Sequence, residues 1–115
     1  MLAALAVAVW PEPWNARDYA LEGAFVGLSL VDLGQAAYGQ AHGAIEQNPC
    51  VPGAPHPSNG QLVGYFAVYI IGHAGIAWLL PRPWREIWQG LGIGLEVATV
   101  LDNARYQSFH VRVPW

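Results

Sequence analysis

The sequence predicts an all-α protein, a three-span transmembrane helical bundle with a short apolar N-terminal segment and a Pro-rich extramembrane loop. Charged residues make up only 11% of the 115 residues, whereas hydrophobic residues make up 54%. Ordinary soluble domains are about 25% charged, and a small one needs that charge to cover its large surface. The length predicts a single domain. The alternative is a soluble helical bundle with unusually few charges.

Three segments are apolar and long enough for spanning helices, which need about 20 residues. They cover approximately residues 18–43, 61–80 and 84–106. The second is the most apolar, because His73 is its only acidic or basic residue and Pro81 and Pro83 end it. The first is the most polar and contains Glu22, Asp32, Gln35, Gln40 and His42.

A loop over residues 44–60 separates the first two segments. It holds four prolines and no lysine or arginine. Proline prevents a regular helix, and loop backbone must lie outside the hydrocarbon.

The arginines predict the orientation of the chain. Arg17 precedes the first segment, and Arg82 and Arg85 lie near the link between the second and third. Positive charge favours the cytoplasmic side. We therefore expect a bacterial inner-membrane protein with a cytoplasmic N-terminus and the proline-rich loop outside, although Arg105 and Arg112 near the outer C-terminus oppose this orientation.

The first ten residues, MLAALAVAVW, are apolar but too short to span a bilayer, and they lack the positive charge that opens a signal peptide. We expect an interfacial anchor or a short piece packed against the bundle. Cys50 is the only cysteine, which excludes an internal disulfide and a cysteine-based zinc site.

The predicted partners follow from charge and composition. The net charge is -3 and the five basic residues form no cluster, so the sequence predicts no nucleic acid as a partner. The expected partners are the lipid bilayer and either further copies of the chain or other membrane subunits.

Polar residues repeat at helical spacing within the predicted spans. At 100° per residue, Asp32 and Gln35 share one face of the first span, and Glu96 and Asn103 share one face of the third, with His73 near the middle of the second. Such residues normally face the bundle interior. We therefore predict an intramembrane cluster of Asp32, Gln35, His73, Glu96 and Asn103, and an outer polar end of His42, Glu46 and Asn48.

Three roles for this cluster stay open. The polar groups could bond the helices together, aided by the close-packing pairs Gly23 and Gly27, Gly60 and Gly64, and Gly90 and Gly94. They could form a proton or ion relay through Asp32, His73 and Glu96. They could hold a metal with His42, Glu46, His73 or Glu96, but the helical ligand spacings typical of metal sites are missing, so we predict no metal.

The sequence carries no sign of an enzyme. It contains no nucleophile elbow, P-loop or dinucleotide-binding fingerprint. We therefore predict no catalytic residues and no cofactor.

Three stretches, VDLGQAAYGQAHGAIEQNP, HPSNGQLVGYF and GLEVATVLDNAR, resemble a group of small uncharacterised multi-span membrane proteins of phage, prophage and proteobacterial genomes. The shared pattern is Asp-x-Gly-Gln, Glu-x-Asn-Pro, His-Pro-Ser and a late glutamate. Here it falls on Asp32, Gly34, Gln35, Glu46, Asn48, Pro49, His56, Pro57, Ser58 and Glu96.

The resemblance covers roughly residues 18–106 and implies a membrane location and a phage origin, with no known activity. The chain departs from the pattern after Pro49, where CVPG replaces an aliphatic residue and a glycine.

Together these observations predict a small non-catalytic integral membrane protein that self-associates or serves as a subunit of a larger membrane assembly. A phage-related, holin-like or envelope-modifying role is one version of this. The alternative is an ion-conducting, proton-conducting or ligand-binding membrane protein that uses the intramembrane Asp32, His73 and Glu96.

Overall fold

The structure is a computed structural model that describes residues 10–115. Three α-helices form an antiparallel bundle: α1 (Ala16–Ala41), α2 (Asn59–Leu79) and α3 (Trp84–Gln107). The described residues contain no strand, so the all-α prediction is confirmed. The helix bounds lie close to those of the predicted segments, and α1 packs most extensively against α3. The predicted apolar anchor, apart from Trp10, lies outside the described residues.

Local sequence sets the helix ends. Asn15 and Ser58 each begin a capping box, in which the cap side chain accepts from the backbone three residues on and that residue's side chain accepts in return. Pro81 and Pro83 follow α2, where proline cannot continue a helix. Gly43 follows α1 with φ of 80°, a conformation that glycine adopts without strain.

One helix, α2, is long and apolar enough to cross a membrane by length and composition. Only 22% of its most apolar stretch is buried in the bundle, whereas the core helix of a soluble protein is mostly buried. Among the described residues, α1 and α3 do not meet that test of composition.

The proline-rich loop is folded against the bundle end formed by the C-terminus of α1 and the N-terminus of α2, which we call the outer end. Val51 of the loop is buried in an apolar cluster with Leu33, Ala37, Leu62 and Phe66. Asn48 donates from Nδ2 to the hydroxyl of Tyr65, 3.0 Å away. The loop therefore closes the outer end of the bundle as well as linking two helices.

The last eight residues turn back from the end of α3 and run along α1. The Arg112 backbone N–H donates to the Gly34 carbonyl at 2.9 Å, and the His110 ring stacks on Tyr38. A Cβ at Gly34 would lie 3.0 Å from Cβ of Val111. The absence of a side chain at Gly34 is therefore what lets this segment approach the helix.

Candidate functional site: a polar bundle interior

The distribution of polar and apolar side chains between interior and surface is the reverse of that in ordinary soluble proteins. Eight polar or charged residues are buried among the described residues, as many as the buried apolar ones. The buried polar residues are Asp18, Glu22, Ser29, Gln35, His73, Arg85, Gln89 and Glu96. Soluble proteins rarely bury charged residues unless they are paired, so the interior of this bundle is the candidate functional site.

The end of the bundle near the α2–α3 link, which we call the inner end, holds a charged cluster. Asp18 in the first turn of α1 and Arg85 in the first turn of α3 are both fully buried, with Arg85 Nη1 3.2 Å from Asp18 Oδ2. Arg82 forms a second ion pair with the same carboxylate oxygen. Arg85 also donates to the carbonyls of Ala77 and Glu12, at 2.9 and 2.8 Å. One guanidinium thus joins all three helices and the segment before α1.

A second cluster lies deeper in the bundle. The His73 Nδ1 is 2.8 Å from the Glu22 Oε1, and Gln89 donates from Nε2 to the Glu22 Oε2 at 3.1 Å. Phe25 stacks on the imidazole at 3.6 Å between ring centroids. The other ring nitrogen, Nε2, is buried without a hydrogen-bond partner. These contacts fix the imidazole plane and leave Nε2 facing Gly92, where a Cβ would collide with it.

A third cluster lies toward the outer end. Asn103 donates from Nδ2 to Asp32 Oδ1 at 2.8 Å and is 3.2 Å from Gln35 Oε1. Gln35 donates to the Val100 carbonyl at 3.1 Å, and Gln107 donates to the Gln35 carbonyl at 3.0 Å. Amide and carboxylate side chains therefore hold α1 and α3 together over more than two turns.

Glu96 lies between the second and third clusters. It is 3% exposed, and its neighbours include the side chains of Tyr69 and His73. Its carboxylate is close enough to that of Asp32 for the two charges to repel. Its Oε2 is buried and has no hydrogen-bond partner within the described residues. This is a costly arrangement for a carboxylate.

Two cavities adjoin this polar interior. The outer cavity has a volume of about 700 Å³ and extends from Glu96 past Asp32 to the proline-rich loop. A second, of about 370 Å³, is an apolar groove between α2 and α3, with His73 at its base.

The structure brings four of the five predicted cluster residues to one region. Asn103 bonds both Asp32 and Gln35, and Glu96 lines the same cavity as these three residues. His73 has Glu22 as its hydrogen-bond partner instead, and Glu22 precedes Asp32 on α1 by ten residues, or about 15 Å of helix.

The predicted outer polar end is less connected. The His42 ring bonds the Tyr38 carbonyl in its own helix and stacks on the Tyr38 ring. Glu46 and Asn48 bond each other within the loop through the Asn48 N–H. Because α1 ends at Ala41, Glu46 lies in the loop and does not share the helix face of Asp32 and Gln35.

The predicted cluster left out the inner half of the site, which is formed by Asp18, Glu22, Arg85 and Gln89. Arg85 was expected near a cytoplasmic link, but it is buried inside α3. A signal was present in the four-residue spacing of Asp18 and Glu22 on one segment and of Arg85 and Gln89 on another. Such spacing puts each pair on one helix face.

The predicted glycine pairs do not mediate contacts inside this bundle. A Cβ at Gly23, Gly27, Gly64, Gly90 or Gly94 would meet nothing within 4 Å, and one at Gly60 would meet only Ser58. Among the helical glycines, the close approaches are instead at Gly34, Gly39 and Gly92, where neighbouring side chains fill the space.

Within residues 10–115, no group of three or more His, Cys, Asp or Glu side chains is placed to hold a metal ion. No protein-family model matches the sequence, and comparisons with curated proteins and with solved structures find no match.

Proposed function

We propose that this chain is a small non-catalytic integral membrane protein whose three helices all span the bacterial inner membrane. The observation that carries the proposal is the reversed distribution of side chains. Twenty-one large apolar side chains are exposed among the described residues, while half of the buried residues in the core are polar or charged. A lipid-facing surface and a paired polar interior are what a bilayer requires.

Helix length and facing support three spans. The helices have 26, 21 and 24 residues, so the shortest is about 32 Å long at 1.5 Å per residue, which matches a hydrocarbon core of about 30 Å. The polar residues that lower the average hydropathy of α1 and α3 are largely buried between them. On the outer face of α3, by contrast, Leu91, Leu95 and Leu101 are each at least 60% exposed.

We further propose that the protein works as a subunit of an assembly, either with its own copies or with other membrane proteins. The C-terminal segment supports this. Among the described residues, its only backbone bond to a helix is from Arg112 to Gly34, and Phe109, Val111 and Val113 are all more than half exposed. Irregular backbone at membrane depth needs cover from protein. The open faces at Gly90 and Gly94 offer a second place for close helix contact.

Membrane integration is tested by fractionation of bacterial cells that express the protein. We expect it in the inner-membrane fraction after an alkaline carbonate wash. Release into the wash would overturn the proposal. Assembly is tested by light scattering in mild detergent, where we expect a mass above that of one 12.5 kDa chain after subtraction of detergent. Replacement of both Gly90 and Gly94 by leucine should lower that mass. The matched control is Val100→Leu, on the buried face of the same helix, which should leave the mass unchanged.

A second candidate function is a proton relay along the interior. It is favoured by two of the six buried side-chain atoms that lack a hydrogen-bond partner among the described residues, Nε2 of His73 and Oε2 of Glu96. Proton flux into liposomes separates this role from a structural one. A relay predicts that Glu96→Gln abolishes flux while the fold stays intact, whereas a structural role predicts no flux for either protein.

The sequence resemblance to phage membrane proteins supports a holin-like or envelope-modifying version of the assembly. This version predicts that induced expression makes cells permeable to a normally excluded dye. A passive subunit predicts intact cells and co-purification with a host or phage membrane protein.

A further inference from the structure

We propose that the outer cavity binds an organic cation through a primary ammonium group, which pairs with Glu96. The cavity lies among the three helices and the proline-rich loop and has a volume of about 700 Å³. This space exceeds what a bare ion fills and is typical of small-molecule sites, which run from about 300 to 1,000 Å³. The proposal goes beyond the membrane-subunit role, since a subunit needs no ligand.

The charge of the lining selects a cation. Four carboxylates line the cavity, those of Asp32, Glu46, Glu96 and Asp102, and no lysine, arginine or histidine is among its lining residues. Asp32 and Glu96 repel each other, and neither has a basic partner in a hydrogen bond or ion pair. A cation placed between them compensates negative charge in a lining that holds no basic side chain of its own.

Glu96 provides the specific contact. Its side chain is 3% exposed and lines the cavity, and its Oε2 has no hydrogen-bond partner. A buried carboxylate with an oxygen that lacks a donor is costly, and a charge-assisted hydrogen bond from an ammonium group is among the strongest that the carboxylate can accept. The other polar groups of the outer cluster are already bonded to each other, so Glu96 is where a donor gains most.

The aromatic wall favours an organic cation over a metal ion. Tyr65 and Tyr69 both line the cavity, and their rings lie nearly parallel, 12° apart, with centroids separated by 6.0 Å. Ring faces attract ammonium groups. By contrast, the described residues hold no group of three or more side chains suited to a metal ion.

A primary ammonium fits better than a quaternary one. It has three N–H donors, and acceptors for them are at hand in Glu96 and in the hydroxyl oxygen of Tyr69, which lines the same cavity. A quaternary ammonium has no N–H and cannot donate to the Glu96 carboxylate. The carboxylates of Glu46 and Asp102, nearer the loop, attract the cation toward the cavity and can pair with a second ammonium of a linear diamine.

The test is calorimetric titration of the full-length protein in mild detergent with putrescine as the probe. Butylamine, tetramethylammonium and magnesium chloride serve as comparisons at matched ionic strength. We expect saturable binding of putrescine and butylamine, weaker or no binding of tetramethylammonium, and no displacement of putrescine by magnesium beyond its ionic-strength effect.

Glu96→Gln keeps the shape of the side chain and removes its charge, so it should weaken putrescine binding by about tenfold or more. Glu86→Gln, which removes one carboxylate at the opposite end of the bundle, is the matched control and should leave the affinity unchanged. Circular dichroism and the melting temperature establish that both variants fold. The proposal is overturned by an absence of saturable binding, by equal affinity for folded Glu96→Gln and wild type, or by magnesium displacing putrescine stoichiometrically. None of these results bears on whether the protein spans the membrane, which the carbonate wash decides separately.

Discussion

Glu22 on α1 and His73 on α2 meet in the bundle interior, with 2.8 Å between the carboxylate Oε1 and the imidazole Nδ1. It is the only side chain–side chain hydrogen bond between these two helices in the described part of the chain, and both side chains are less than a tenth exposed. The pair is therefore the main polar restraint between α1 and α2.

Glu22→Leu and His73→Leu should each lower the free energy of unfolding by about 1–3 kcal/mol, because each leaves a buried partner unsatisfied. The double variant should lose less than the sum, with a coupling of about 0.5–3 kcal/mol. Titration of the solubilised protein with a denaturing detergent measures the free energy of unfolding of the two single variants and the double variant. His56→Leu, at an exposed loop position, is the control. Strict additivity of the two changes would contradict the contact.

Arg85→Met should be the most destabilising substitution of a basic residue, by about 3–5 kcal/mol, because it removes a fully buried partner of Asp18. Arg85→Lys should also destabilise, since one ammonium group cannot replace a guanidinium that contacts Asp18 and two carbonyl groups. Melting temperatures in detergent give the comparison. Arg105→Met, at an exposed position, should change stability by no more than about 0.5 kcal/mol.

Gly92→Ala should destabilise the bundle by about 1–3 kcal/mol, because its methyl group would collide with His73 and lie 3.1 Å from the Phe25 ring. Gly94→Ala makes the same chemical change where nothing lies within 4 Å. It should be neutral or stabilising by up to about 1 kcal/mol. Equal effects at the two positions would show that Gly92 is not a point of close packing.

Asn103→Leu should cost about 1–3 kcal/mol, because Asp32 and Gln35 both lose the amide that bonds them. Thr99→Val is the matched control one turn earlier on α3. Its hydroxyl donates only to the Leu95 carbonyl of the same helix, so its removal should be nearly neutral. A larger loss at Thr99 than at Asn103 would argue against the outer cluster.

Cys50 should react with a membrane-impermeant maleimide in intact spheroplasts, because it is exposed on the proline-rich loop and we propose that this loop lies outside. A Trp84→Cys change in a Cys50→Ser background puts the thiol at an exposed position beside the α2–α3 link and should react only after lysis. The opposite pattern for the two sites would reverse the proposed orientation.

The helices could be predicted from sequence because their signals are local. Apolar runs, the prolines after α2 and the proline-rich interval after α1 each act within a few residues. The capping residue Ser58 and the prolines before Trp84 bring the observed starts close to the predicted ones. The eight residues after α3 carry no comparable signal, because their position depends on the missing side chain of Gly34, far away in sequence.

The site could be predicted only in part. Helical spacing grouped Asp32 with Gln35, and Glu96 with Asn103, because it depends on one helix at a time; in the structure Asn103 bonds both Asp32 and Gln35. The partner of His73 depends on how far α2 is shifted along its axis relative to α1. Residue spacing within one helix carries no information about that shift. Arg85 was missed because an arginine near a predicted link favours a solvated position until a buried carboxylate such as Asp18 is known to face it.

The buried interior is held together by ion pairs and by hydrogen bonds of amide side chains. It contains few large apolar side chains, Phe25, Leu62 and Phe66 among them. Heat capacity on unfolding rises with newly exposed apolar surface and falls with exposed polar surface. Much of the apolar surface of this chain is already exposed in the folded state, so unfolding exposes little more of it. The heat-capacity increment of unfolding per residue should therefore fall below the usual value of about 12–15 cal/mol/K. Its stability curve should then be flat with temperature, and the fold should persist on cooling, where proteins built on apolar cores weaken.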